Sequence, residues 1–298
     1  NTHLQSLSEH LFAVGYIAEL LCRELVDDGN KKAIAAFVAG CLHDLGKIDP
    51  QFQEWLRKKN GQFIDVEDGQ HIDEKINGKD FSFDKHPRHN EISAMLYQLL
   101  DNKELKGIPN PELKQSVKHV VFWHHAKPFR KGKDIETYGD VYSKLSDNLK
   151  AEQIDILFEK ASKQLDQLCS IDATYRQIDT SKLVACFAAT IDKDDISTLS
   201  DIKLPRYKTY EITENIDKYK SYVATNADNN IIRSCVITAD RLISALSADE
   251  LHAHIKNKTL GQLVDKVLFK ESILVSHIEQ YLTSFSAGAR STKQSEVA

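Results

Sequence analysis

Imidazole and carboxylate side chains recur in this chain where an apolar helical pattern places them inside. There are 12 histidines among 298 residues. His43 and Asp44 are adjacent and follow Ala36, Ala39 and Gly40. Those small side chains let another element, an ion or a substrate approach closely. Phe37, Val38, Cys41, Leu42 and Leu45 beside them read as core. A carboxylate in such surroundings costs on the order of several kcal/mol, or stays protonated, unless it finds a partner. Alone the pair says little, because chance supplies about one His-Asp dipeptide in a chain this rich in both.

Other positions add weight. His10 falls between Leu7 and Val14, on the inward side of a helical pattern. His89 sits where that pattern resumes after His86-Pro87-Arg88. His124, with His125 beside it, follows Val117, Val120 and Val121, and Asp240 lies among Val236, Ile237 and Ile243. Each by itself suits a core side chain bonded to a backbone carbonyl. Six inward polar residues from five helices are hard to satisfy together except around metal ions.

The elements that position them follow from apolar periodicity. Leu4, Leu7, Leu11, Val14, Ala18, Leu21 and Leu25 step by three and four, an amphipathic helix. A second helix is expected over about 32–45, carrying His43-Asp44 and stopped by Gly46. Asp49-Pro50 offers an N-cap and a proline at the first helical position for a short helix through Lys58. Helical period returns at 90–101, 112–126, 140–170, 180–192, 229–247, 250–269 and 271–285. Between 60 and 85, Gly61, Gly69 and Gly78 punctuate a polar stretch, read as a loop or hairpin insertion. Ile202 to Thr213 has an extended look, but nothing resembles a βαβ alternation. The fold class is therefore all-α, a compact helical bundle over 1–285, with 286–298 a flexible linker.

Within that frame the local strings narrow the reading. SLSEHL around His10, HDLGKIDPQFQ from His43, RHNEISA around His89, FWHH ending at His125 and ITADRLIS around Asp240 appear in order. Together they resemble the HD nuclease domain of type I CRISPR systems, a branch of the HD metal-dependent phosphohydrolases. One departure is Asn90, where that family often has an acidic residue. The resemblance implies that His10, His43, Asp44 and Asp240 surround one ion. Asp44, His89, His124 and His125 surround the other, with Asp44 bridging. A carboxylate has two oxygens for this; an imidazole has one free nitrogen. Mixed nitrogen and oxygen ligation suits two divalent transition-metal ions (Fe, Mn, Co or Ni) better than magnesium. Two such ions against two aspartates leave an excess of positive charge, which favours phosphodiester hydrolysis by a metal-bound hydroxide. Lys47 is placed as a contact to the scissile phosphate, against the alternative of a solvated lysine at a helix end.

Composition bounds the partners. The formal net charge is -5, with 41% hydrophobic and 28% charged residues, which suits a globular core and excludes a chain that coats nucleic acid by bulk charge. Basic residues nevertheless gather near the metal motifs. Lys127, Arg130, Lys131 and Lys133 surround Phe129 after His125, a pattern suited to a single-stranded backbone and a stacked base. An ordinary solvated loop is its alternative. No apolar run reaches the length of a membrane span. The five scattered cysteines, without a CxxC pair, read as reduced core thiols of a cytoplasmic protein. The expected activity is single-stranded DNA endonuclease in CRISPR interference. Its expected partners are a CRISPR helicase domain, fused or separate, and the RNA-guided surveillance complex. No phosphate-binding loop of the GxxxxGK[ST] type is present, so ATP-driven unwinding falls to another domain. The tail after Phe285 is read as a link toward that helicase if the natural chain continues, and the missing initiator Met as leaving room for an upstream fused domain. An HD phosphohydrolase acting on nucleotides and a non-catalytic HD scaffold are the rivals.

Overall fold

A computed structural model describes residues 5–26, 29–58, 86–102, 111–125, 135–183, 191–205 and 216–268. Among these residues the elements are α1 (Leu7–Leu25), α2 (Gly29–Leu42), a 3-10 turn (Leu45–Ile48), α3 (Pro50–Lys58), α4 (His89–Asn102) and α5 (Pro111–Trp123). There follow α6 (Tyr138–Asn148), α7 (Ala151–Arg176), a second 3-10 segment (Lys193–Leu199), α8 (Ile216–Ser244), α9 (Ala248–Lys256) and α10 (Leu260–Leu268). The described residues hold no strand, only an isolated antiparallel bridge between Thr137 and Lys203. The all-α expectation holds.

The apolar faces of these helices share one core. Phe12, Ile17, Phe37, Leu42, Ile92, Met95, Leu96 and Val120 are sealed from solvent, and Ile232, Val236 and Ile243 of α8 join them. The stripe of small residues on α2 is explained by α1. A Cβ on Gly40 would lie 2.7 Å from Gly15 Cα, and one on Gly15 would lie 2.8 Å from Phe37 O. The two helices therefore cross with their backbones nearly touching, which brings His10 and the end of α2 together. Asp49 caps α3 as anticipated, its carboxylate accepting from Gln51 N at 3.3 Å and Phe52 N at 3.1 Å.

Several boundaries differ from expectation. The helix expected over 140–170 is two, divided at Leu149, whose backbone is extended. α7 then restarts with Lys150 N donating to Gln153 Oε1 at 3.0 Å. The helix expected over 250–269 is also two. α9 ends on Lys258 in the left-handed region (φ 58), with Thr259 N donating to His254 O at 2.9 Å, a six-to-one closure. Gln177 (φ 56) ends α7 the same way. α8 begins at Ile216, well before the expected 229. The insertion at 60–85, the helix at 271–285 and the tail at 286–298 lie outside the described residues, as does most of 180–192. No described helix is long and apolar enough to cross a membrane.

Candidate metal centre

The pair at the centre stands just past a helix, not on one. α2 stops at Leu42, and His43 and Asp44 form the turn into the 3-10 segment. His124 and His125 likewise follow the end of α5 at Trp123. The physical reason is the same at both ends. The last carbonyls of a helix have no intrahelical partner. His43 Nδ1 donates to Gly40 O at 2.7 Å, and His124 Nδ1 donates to Val121 O at 2.8 Å. Each ring so caps its own helix and turns Nε2 inward.

Around Asp44 the side chains converge from three helices (α1, α4 and α8) and from the turns that follow α2 and α5. Its Oδ1 lies 3.3 Å from His89 Nε2, 3.3 Å from His124 Nε2 and 3.8 Å from His125 Nε2. Its Oδ2 lies 3.2 Å from His43 Nε2 and 2.7 Å from Lys47 Nζ. On the other side His10 Nε2 is 3.0 Å from Asp240 Oδ1, and His43 Nε2 is 3.6 Å from the same oxygen. Two groups result, His10-His43-Asp44-Asp240 and Asp44-His89-His124-His125, each with donor atoms within 4.8 Å of one another. Asp44 belongs to both.

The donor set fits cations. Asp44 Oδ1 and the Nε2 atoms of His43, His89, His124 and His125 are buried without a hydrogen-bond partner. Buried polar atoms in folded proteins are nearly always paired. An arrangement of five such atoms facing one another is satisfied by a positive charge among them.

Charge states agree with that fit. Burial pushes His89 down to about 4, more than the Asp44 carboxylate lifts it. Burial likewise depresses His124, aided by His125 beside it. Both rings are therefore neutral donors near neutral pH. Burial opposes ionisation of Asp44, but Lys47 and His43 outweigh it and hold the carboxyl well below its ordinary range. Asp240 behaves alike, its burial offset by His10 and His43. Burial also disfavours charge on His43, yet Asp44 and Asp240 lift it to about 10. A proton on His43 and a cation between these carboxylates thus compete for the same negative charge.

Gly46 shows how tightly the centre is assembled. Its N–H donates to Ser93 Oγ at 2.7 Å, and a Cβ there would lie 2.1 Å from His89 O and 2.9 Å from Ser93 N. These are backbone atoms, so the 3-10 turn and α4 must separate to admit a methyl group. Gly46→Ala is expected to cost about 1–3 kcal/mol of stability and to draw Asp44 away from His89. Thermal unfolding and bound-metal content check it; wild-type values for both would refute the close-contact account.

Other expected residues fall as follows. Lys47 stands on the Asp44 carboxylate, at the edge of the centre. Lys127, Phe129, Arg130, Lys131 and Lys133 lie outside the described residues. Asn90, the departure from the family pattern, donates its Nδ2 to Phe122 O at 2.7 Å. A carboxylate cannot make that bond, so here the residue fastens α4 to the end of α5.

Two supporting contacts were not visible in the sequence. The His86 ring lies 2.7 Å from Asp49 Oδ2, both residues buried, which ties the chain entering α4 to the cap of α3. Gln5 bonds the His10 ring and the end of α8. No local signal links residue 5 to residue 243; only the folded bundle does.

A family model described as "Cas3, HD domain" matches residues 3–192. The match takes in His10, His43, Asp44, His89, His124 and His125, and α8 brings Asp240 to them from beyond it. No curated protein and no solved structure matches the chain. With more than half its length matched, the chain belongs to the Cas3 HD-domain family of metal-dependent HD phosphohydrolases and nucleases.

Proposed function

We propose that this chain is a metal-dependent endonuclease for single-stranded DNA, acting in CRISPR interference beside a helicase domain and an RNA-guided surveillance complex. The observation that carries the reading is the pair of donor groups sharing Asp44, buried and rich in nitrogen atoms without hydrogen-bond partners. His10, His43, Asp44 and Asp240 would hold one divalent ion, and Asp44, His89, His124 and His125 a second. Imidazole and carboxylate together favour Fe, Mn, Co or Ni. When bound, such ions supply Lewis-acid polarisation of a phosphoryl oxygen and ready deprotonation of water at neutral pH.

The chain's own residues supply the rest. Neutral His89 and His124 offer lone pairs without adding charge, so the centre stays attractive to a phosphodiester. Lys47 contributes a cation beside Asp44, where it can meet a non-bridging phosphate oxygen. The basic run from Lys127 to Lys133, with Phe129 among it, would guide a flexible backbone and stack one base.

Purified protein with Mn²⁺ or Ni²⁺ is to be incubated with circular single-stranded DNA and, in parallel, with a nucleotide panel. Cleavage of the circles is expected, since a closed strand has no end to start from. Phosphate release from nucleotides with the circles intact would favour a nucleotide phosphohydrolase instead. Metal binding with neither activity would favour a scaffold for the helicase.

A further inference from the structure

His10 differs from the other imidazoles in how its ring is held. His43 and His124 stand past helix ends and use a spare carbonyl of their own helix. His10 lies inside α1, where the carbonyl one turn back is already taken: Ser6 O accepts from the His10 backbone N–H at 2.9 Å. Its ring needs an acceptor from elsewhere. Gln5 provides it, with Oε1 at 2.8 Å from His10 Nδ1.

The orientation of that amide is determined by its other end. Gln5 Nε2 donates to Ile243 O at 2.9 Å and to Leu246 O at 2.7 Å. Both partners are carbonyls and only accept, so the amide NH2 must face them and the oxygen must face His10. His10 Nδ1 therefore carries the proton. In the neutral ring Nε2 then presents a lone pair to Asp240 Oδ1, 3.0 Å away. Two acceptors at that distance attract only with positive charge between them. Ile243 lies in the last turn of α8 and Leu246 two residues past its end, so the amide spans the close of that helix. One side chain thus sets the ring of His10 and anchors the helix that carries Asp240.

We propose that Gln5 is a positioning residue for the ion held by His10, His43, Asp44 and Asp240. It would fix the His10 tautomer and the distance between α1 and the end of α8. This rests on the two-ion reading above. Support of this kind around a ligand is worth about 10–100-fold in metal affinity.

The test uses the full chain with Gln5→Leu, which keeps bulk and removes every bond, and Gln5→Glu, which keeps an acceptor for Nδ1. Titration with Mn²⁺ counts ions and affinities, and nitrogen-15 histidine spectra of the chelator-treated protein read the tautomer. Wild type is expected to bind two ions and to carry the His10 proton on Nδ1. Gln5→Leu should weaken one ion by about 10–100-fold, leave the other unchanged and mix the His10 tautomers. Gln5→Glu should keep the Nδ1 proton. Wild-type affinities for both ions in Gln5→Leu would overturn the proposal, as would an Nε2 proton on His10 in the wild type. Fewer than two ions in the wild type would sink the two-ion reading, while the tautomer still decides the role of Gln5. Should Gln5→Leu fail to fold, loss of the Nδ1 tautomer in folded Gln5→Glu refutes the assignment.

Discussion

Asp44→Asn is expected to remove both ions and at least about 100-fold of the cleavage rate, the loss that even a supporting residue can reach. Asp44 is the one side chain shared by the two donor groups, and it is sealed from solvent. Asparagine keeps the volume, so the change is one of charge and bonding. Its amide oxygen is a weaker ligand, and its NH2 would point at imidazole nitrogens or at the Lys47 ammonium. Asp240→Asn supplies the contrast, because Asp240 belongs to one group alone. It should lose one ion and keep the other. Metal analysis after dialysis, with the circular-DNA assay alongside, reads both variants. Two ions and undiminished cleavage in Asp44→Asn would end the bridging role. Equal metal loss in both variants would mean that the groups do not bind independently.

The seven candidate ligands were legible because each breaks an apolar period at an inward position, and because their order along the chain is distinctive. Their exact settings were not. His43 and His124 were expected on helices, since apolar spacing continues through both; the ring-to-carbonyl caps that end α2 and α5 leave no mark on that spacing. The division between α6 and α7 hides for a related reason. Val141, Leu145, Leu149, Ile154, Leu157, Ala161 and Leu165 keep nearly helical steps across the break. Gln177 and Lys258 take left-handed backbones that sequence reasoning expects of glycine. The sequence marks Gly46 as a helix stop, whereas it lets the 3-10 turn touch the backbone of α4. Contacts such as Gln5 with Ile243 depend on the bundle closing, and no window along the chain contains both.

The same limit applies to charge. Glu19, Asp172 and Arg176 carry no mark of burial in the sequence, yet Glu19 is 3% exposed and Asp172 fully buried. Arg176 pairs with Glu19, and its Nε donates to Asp172 Oδ1 at 2.5 Å. Its guanidinium also lies 5.0 Å from the Tyr16 ring centroid and 4.9 Å from that of Phe37. One side chain therefore fastens α7 to both α1 and α2, the helices that set His10 and His43. Arg176→Met keeps the aliphatic stem but takes one charged partner from each of two buried carboxylates. Breaking such a pair costs about 3–5 kcal/mol. Here the lower end is expected, because Lys182 Nζ remains 2.7 Å from Glu19, and Ser181 Oγ and Lys182 N still donate to Asp172. That corresponds to a fall of roughly 5 °C in Tm. Acid should shrink the difference. Burial by itself would raise the Glu19 carboxyl, but Arg176 and Lys182 outweigh it and hold it below its ordinary 4.5. A depressed folded value stabilises the protein above the unfolded pKa and loses that contribution as pH falls through the folded one. Wild type and variant should thus differ fully at neutral pH and converge once Glu19 protonates below 4.5. Denaturant unfolding of both proteins across that range reads the gap. A gap that is constant with pH would show that Arg176 acts through packing on Tyr16 and Phe37 and not through its charge.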